Sequence, residues 1–570
     1  MVKRRKVLFP VGLGLLLGAS PLPALARDHA DLLICNANVL TVDDAFSIGS
    51  SVAVRDERIV AVGGLDLCEA YEATRKIDLG GKTLMPGFTD THVHPTPVAP
   101  GDIESGAARS IAELQDMLRA KARELGPGKW ITGNGWDEAK FAEQRNPSRA
   151  DLDAAAPANP VYLTRAGAHS GVANSAALRI AGIDRTTPDP AGGLIERDAQ
   201  GEPSGIIRER NDLVRNFIPQ PSWAEMRPRY IGWMRDVLAL GITTVFNASG
   251  TIDDEPVGEG GIADPPPNMT FRRAREIYAE MGDCLPRMTM YISHPGEERL
   301  KAFGHRTGYG DNRLRLGPIG ENLVDGGFTG PTAWLLVDYK GQPGFRGKGR
   351  FTDEELQSLV DSAAALGWQM GLHAIGDAAI VQTVNAYHRA LAKTGRASSN
   401  HRWFLDHFTI MPPDATMEIM RTDNIMIAQQ PNFLYNLEAR YQQTLDEWRL
   451  AHNNSVATPA HKFGLFVAFG SDNLPIGPLV GLYTAITRKG QSGKVHGIEE
   501  AVSRKEAIRM YTSNGPYLSW EEGEKGTIEP GKLADMIVLP FDPLTSAPET
   551  ILNGQVEMTF VGGKLVYQRP

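Results

Sequence analysis

From residue 83 to residue 471 the chain repeats one alternation, and little else about it constrains the fold so strongly. Short apolar runs rich in β-branched residues are each followed by an amphipathic stretch with helical spacing. That pattern is the signature of parallel α/β structure, because parallel strands need crossover helices to return. The runs fall at 83–88, 242–247, 288–292, around 320–324, 369–373, 403–407, 425–428 and 466–471. Eight such runs are what a (β/α)8, TIM-like barrel requires, here expected over 86–523. Roughly 150 residues separate the first two runs, far more than an ordinary crossover, so an inserted subdomain is expected at about 96–235. Loops that follow barrel strands sit at the catalytic face, which makes that insertion a candidate lid or substrate pocket.

The two ends have a different character. Residues 31–63 and 536–567 are short β-like runs separated by turn signals such as Asp56-Glu57 and Gly562-Gly563. Together they predict one small composite β-sandwich, 27–85 with 524–570. Before it, Lys3 to Lys6 form a positive segment, an apolar run follows, and Ala24-Leu25-Ala26 supplies the small-x-small site of a signal peptidase. Residues 1–26 therefore read as a cleavable signal peptide, and the mature protein as secreted or periplasmic. The alternative, an uncleaved anchor helix, is weakened by Pro10, Gly12, Gly14 and Pro21 inside the run. No later stretch approaches ~18 uninterrupted apolar residues, so no stable membrane insertion is expected after cleavage.

With 59 basic and 68 acidic residues, the net charge of −9 argues against a general nucleic-acid binder. The three cysteines exclude a disulfide scaffold. Cys35 and Cys68 share the N-terminal β region, and the sequence leaves their pairing open; Cys284 is left over.

The chemistry concentrates at the ends of the apolar runs. In Gly87-Phe88-Thr89-Asp90-Thr91-His92-Val93-His94-Pro95, alternation along a strand points His92 and His94 the same way. His373 ends one run, His407 ends another, and Asp472 follows a third. Alone, each reads as a satisfied core histidine or a helix-capping aspartate. Together they put ligand-type side chains at the C-terminal ends of expected strands one, five, six and eight, which a barrel gathers into one ring. Four imidazoles and a carboxylate suit zinc or a similar borderline divalent cation, one ion or two. Trp130, Trp136 and Phe141 in the insertion read either as an apolar substrate pocket or as the insertion's own core.

At this point the chain resembles the amidohydrolase superfamily, and more narrowly its YtcJ-like branch, which includes N-substituted formamide deformylases. The resemblance rests on the HxH strand and on the stretches 130–137, 165–169, 174–178 and 201–205. It rests further on His373-Ala374-Ile375-Gly376-Asp377, Gly470-Ser471-Asp472 and Gly531-Lys532-Leu533-Ala534-Asp535. It covers essentially the whole mature chain. It implies that His92, His94 and Asp472 bind one metal, while His373 and His407 bind a second or contact substrate. Relatives commonly bridge two metals with a strand-four lysine; here that position falls on Glu321, which either bridges directly or is a rim side chain beside a single ion. Where the branch usually has Glu before His, this chain has Asp406 before His407.

Ring deaminases of the superfamily carry a glutamate three residues after the strand-five histidine. Here that position is Gly376, which tilts the reading toward amide hydrolysis. The expectation is an exported metal-dependent hydrolase cleaving an amide, N-acyl or N-formyl C–N bond by attack of metal-bound hydroxide on the carbonyl. Asp472 would carry the proton, and His407, with His169 from the insertion, would stabilise the oxyanion. Trp136, His169, Glu209 and Asp325 are the expected substrate contacts, and a small molecule is the expected partner. Lactonase or esterase chemistry on the same site stays open, as do a non-catalytic metal-binding role and self-association.

Overall fold

In the computed structural model the described residues are 28–165, 170–190, 193–255, 268–329, 332–395 and 400–570. The expected signal peptide and His169 lie outside them. Eight short parallel strands organise the middle of the chain: β1 (Phe88–Val93), β2 (Ile242–Asn247), β3 (Arg287–Ile292), β4 (Leu314–Ile319), β5 (Gly371–Ala374), β6 (Phe404–His407), β7 (Met426–Gln429) and β8 (Val467–Phe469). β1 to β4 form one sheet in sequence order, and β5 to β8 form another. The sheets meet at both edges. On one side Ile319 bridges to Met370 and its N–H donates to the Gln369 carbonyl at 2.9 Å. On the other, the Asp472 N–H donates to the His92 carbonyl at 2.8 Å.

Every residue of β1, β2 and β3 is buried, as expected of parallel strands covered on both faces. Helices cover the outside and share one core with the strands. The helix Trp223–Ala239 shows how: a capping box of Ser222 and Glu225 starts it, and Met226, Tyr230, Met234 and Val237 form its buried stripe.

Three sequence expectations shift here. The run at 83–88 divides, because Thr83–Pro86 pairs antiparallel with Met536–Leu539 while β1 begins at Phe88. The strand expected around 320–324 is β4, six residues earlier; Arg315, Gly317 and Pro318 hide it from an apolar count. The insertion ends before 235, since Trp223–Ala239 packs into the main core. Its own six-stranded sheet stops at Pro203–Arg208 and encloses a separate core that includes Leu114, Leu118, Trp136, Phe141 and Leu163.

Strands from both ends of the chain form two further sheets. In one, Asp28–Cys35 lies between Ser51–Arg55 and Tyr71–Asp78. In the other, Met536–Leu539 lies between Thr83–Pro86 and Met558–Val561. Leu32, Ile34 and Val52 from the first sheet and Leu84, Met536 and Phe560 from the second share one apolar cluster. Cys35 and Cys68 are joined, with Cα atoms 6.2 Å apart, and Cys284 is free and exposed. No helix among the described residues is long and apolar enough to cross a membrane.

Candidate metal centre

The C-terminal ends of the strands converge on a buried bowl of imidazoles and carboxylates. His92 is fully buried near the end of β1, and His94 follows one turn of the pleat later, their Nε2 atoms 3.2 Å apart. Asp472 leaves β8 with Oδ1 3.6 Å from His94 Nε2. The ligand-type atoms of His92, His94 and Asp472 all lie within 4.8 Å of one another, and so do those of His92, Glu321 and His407.

Glu321, two residues beyond β4 and 1% exposed, occupies the middle. Its Oε1 is 2.5 Å from His373 Nδ1 and 2.7 Å from His407 Nε2. Its Oε2 is 3.3 Å from His94 Nε2 and 3.6 Å from His92 Nε2. Each oxygen thus faces a different histidine pair.

Three of the remaining ring nitrogens face polar groups behind the bowl. His94 Nδ1 is 2.7 Å from Ser249 Oγ, His407 Nδ1 is 2.7 Å from Gln430 Oε1, and His92 Nδ1 is 3.2 Å from Asp406 Oδ1. The Tyr291 hydroxyl sits 3.1 Å from the same Asp406 oxygen. Such outer partners fix ring orientation and leave the other nitrogen aimed inward, the usual preparation of imidazole for a metal. Glu321 Oε2 and His373 Nε2 are buried without a hydrogen-bond partner. Orphaned polar atoms in a dry bowl are costly, and a divalent cation coordinated by them removes that cost. The donors present therefore fit a borderline divalent metal.

Electrostatics within the bowl follow burial first. Burial pushes His92 down to about 3. Burial acts the same way on His407, but its hydrogen bond to the Glu321 carboxylate and the charges of Glu321, Asp472 and Asp406 together outweigh it and lift the imidazole to about 9. Glu321 is buried too, yet the charges of His92 and His373 hold it well below the usual carboxylate range. Burial drives Asp406, behind His92, well above that range.

A cavity of about 460 Å³ opens above the bowl, lined by His94, Glu321, His373, His407 and Asp472 at its floor. Phe328, Ile375, Phe433, Leu437, Tyr441 and Leu474 make the apolar part of its wall. Phe433 stacks on His407 with centroids 5.8 Å apart, and Phe328 meets Tyr441 edge-on at 5.1 Å.

Among the described residues none of the lining comes from the insertion, so Trp136 and Glu209 are not found at the cavity. Trp136 is fully buried in the insertion's own core, its indole N–H donating to the Leu163 carbonyl at 3.3 Å. Glu209 is exposed just past the strand Pro203–Arg208 and does not line the cavity. Asp325 does line it, and its carboxylate accepts from the N–H groups of Trp334, Ile375 and Gly376 at 2.7, 3.0 and 2.8 Å. It fastens two loops at the cavity edge, with Oδ1 3.6 Å from His373 Nε2.

The wall residues escape a reading of the sequence. Phe433, Leu437 and Tyr441 repeat at i, i+4 and i+8 along the helix Asn432–Thr444, a spacing that ordinary core packing shares. A usable signal is the connection from β4 to the helix Asp353–Ala365, since connections beyond about 12–15 residues are usually functional.

Gly376 shows why a deaminase-type glutamate is missing. A Cβ there would lie 1.9 Å from the Trp334 carbonyl oxygen, so the loop backbone fills the space a side chain would need. The neighbouring Asp377 is occupied, accepting from the Leu336 N–H at 2.8 Å and pairing with Arg449.

Residues 75–567 match the model of the amidohydrolase family. The chain belongs to that family. An N-substituted formamide deformylase from Arthrobacter pascens is 30% identical over 95% of this chain and 98% of its own. The putative amidohydrolase YtcJ of Bacillus subtilis (strain 168) is 28% identical over 91% and 96%. The crystal structure of an uncharacterized metal-dependent hydrolase from Pyrococcus horikoshii OT3 superposes with a TM-score of 0.69 at 22% identity, covering 91% of this chain and 99% of that one. The superposition shows a mixed α/β fold, and the family makes this protein an enzyme, a hydrolase acting on carbon–nitrogen bonds.

Proposed function

We propose that this amidohydrolase is exported and hydrolyses an N-acyl or N-formyl amide at a two-ion zinc centre bridged by Glu321. Its scaffold in this reading is a (β/α)8 barrel over 86–523 with an insertion after β1. A β-sandwich of 27–85 and 524–570 completes it, and a signal peptide of 1–26 is removed. The observation that carries the site is the Glu321 carboxylate, with Oε1 against His373 and His407 and Oε2 against His94 and His92. His92, His94 and Asp472 would hold one ion and His373 and His407 the other. The acyl preference is supported by the Arthrobacter pascens relative, whose name is N-substituted formamide deformylase, and by the backbone that fills the shuttle position beside Gly376. Export is supported by the leader pattern and by the Cys35–Cys68 pairing, which suits an oxidising compartment.

When bound, such ions supply Lewis acidity that polarises a carbonyl and lowers the pKa of water. The protein does the rest. Phe433 and its apolar neighbours hold the amide's organic group and exclude bulk water. Asp472, with its side chain 17% exposed at the floor of the cavity, takes the proton of the attacking water and returns it to the departing nitrogen. His169, from the insertion, is proposed as a donor to the developing oxyanion.

The test is metal content by plasma mass spectrometry on mature protein purified without chelator, followed by product analysis on N-formyl and N-acyl amides. Near two ions per chain with release of an amine is the expected result. Near one ion overturns the bridging role of Glu321 and leaves a mononuclear hydrolase. Release of an alcohol or a ring-opened hydroxy acid from esters and lactones, with amides untouched, overturns the amide reading. No metal after incubation with zinc overturns the hydrolase reading itself.

A further inference from the structure

The wall of the cavity carries one cation. Arg350 is the only lysine or arginine among the described lining residues. Its backbone is fixed to the catalytic segment, because its N–H donates to the Val324 carbonyl at 2.8 Å, three residues beyond Glu321. Its side chain is exposed, and among the described residues its guanidinium meets no hydrogen-bond or ion-pair partner. Nearby arginines differ. Arg346, on the same loop, pairs with Asp338 at 2.7 Å, and Arg449 pairs with both Asp377 and Asp446. A guanidinium presents a planar fork of five donors that matches a carboxylate with two parallel bonds. Here that fork is unengaged, on a residue that lines the same cavity as Phe328, Phe433, Leu437 and Tyr441.

We propose that Arg350 is a specificity-determining residue that receives a carboxylate carried on the apolar part of the substrate. The preferred substrate class is then an amide whose organic group joins an aromatic or aliphatic body to one carboxylate, as in the N-acyl derivative of an apolar amino acid. A single cation and no second lysine or arginine in the described lining match a singly charged anion better than a phosphate. The protein carries a net charge of −9, and Asp472 and Glu321 line the same cavity. An anionic group seated on the wall, away from the metal-binding floor, needs a cation there, and Arg350 is the one lysine or arginine among the described lining residues. This inference rests on the amide reading above, so its test must separate the two.

N-formylphenylalanine and N-formylphenethylamine differ only in the carboxylate. For the metal-loaded wild type, kcat/KM should favour the acid by roughly ten- to a hundredfold, the range of a charge-assisted hydrogen-bonded contact. Arg350→Gln should collapse that ratio toward one through KM for the acid, with metal content unaltered, and Arg350→Lys should restore part of it. A second measurement avoids turnover: calorimetric binding of 3-phenylpropionate against 3-phenylpropanol, in wild type and Arg350→Gln. Wild type should prefer the carboxylate and the variant should lose that preference. If both amides are cleaved equally well, or if Arg350→Gln weakens both alike, the anion subsite is wrong and the amide reading stands. If neither amide is cleaved but 3-phenylpropionate binding depends on Arg350, the subsite stands and the amide reading falls.

Discussion

Two clusters of buried charge sit at opposite ends of the strands, and they differ in one respect. At the N-terminal end, Arg287 opens β3 and is 1% exposed. Its Nε and Nη2 donate to the two oxygens of Asp535 at 2.6 and 3.0 Å, and its Nη1 donates to the Asn312 carbonyl at 2.9 Å. Asp535 also accepts from the Gly562 N–H at 2.8 Å, which ties the terminal sheets to the strands. At the C-terminal end, Glu321 Oε2 and His373 Nε2 are buried as well and have no hydrogen-bond partner. Burial and charge alone therefore do not mark a site. A closed set of partners marks a structural tie, and an open one marks a place where something else is to be bound.

The largest test of this contrast is Asp472→Ala. Turnover should fall by roughly 10²- to 10⁴-fold, the range for a lost proton-transfer group, while the urea unfolding midpoint stays near wild type. Near-wild-type activity in that variant would sink the proposed proton path. Arg287→Ala should act the other way round, costing about 3–5 kcal/mol of stability because it strands the buried Asp535 carboxylate. A variant as stable as wild type would show the tie to be decorative.

Chelation comes next in size. Removing an ion present at about a hundred times its dissociation constant costs about 2.7 kcal/mol. The same loss should appear in Asp535→Asn, since distant sites add; a clearly different loss would mean the two ends are coupled. The same variant has a pH signature. Arg287, working against burial, holds Asp535 below its ordinary value of 3.8. The stability it contributes is present above that value and lost as pH falls through the lower folded value. The gap between wild type and Asp535→Asn should thus be flat from neutral pH and begin to close near 3.8; a gap that closes well above that value contradicts the pairing. The smallest effect expected is Trp136→Phe, about 1 kcal/mol from the lost indole hydrogen bond, with KM unchanged. A large rise in KM would restore Trp136 as a substrate contact.

Much of the metal centre is legible in the order of residues alone. His92, His94, His373, His407 and Asp472 each fall at the end of an apolar run, and a two-residue period together with strand ends is local information. Glu321 is reached only by counting back from Asp325, because Arg315, Gly317 and Pro318 in β4 break the apolar pattern that would otherwise mark the strand. For Trp136 and Asp325 the sequence leaves the role open for a shared reason. An aromatic ring and a carboxylate look the same in sequence whether they face a substrate or are consumed by their own neighbourhood. Three backbone N–H groups on Asp325 and an enclosed core around Trp136 are facts of packing.

The sequence by itself determined the alternation of strand and helix, the separate β character of the two ends, and the ligand types waiting at the strand ends. These follow from periodicity and side-chain chemistry, which are written residue by residue. Only the tertiary structure decided which histidine faces which oxygen of Glu321, and that the cavity wall comes from the loop after β4 and the helix after β7. It also decided that Arg350 is left without a partner among the described residues. Those outcomes depend on contacts between residues far apart in the chain, where the free energy belongs to the packed pair and to neither residue alone.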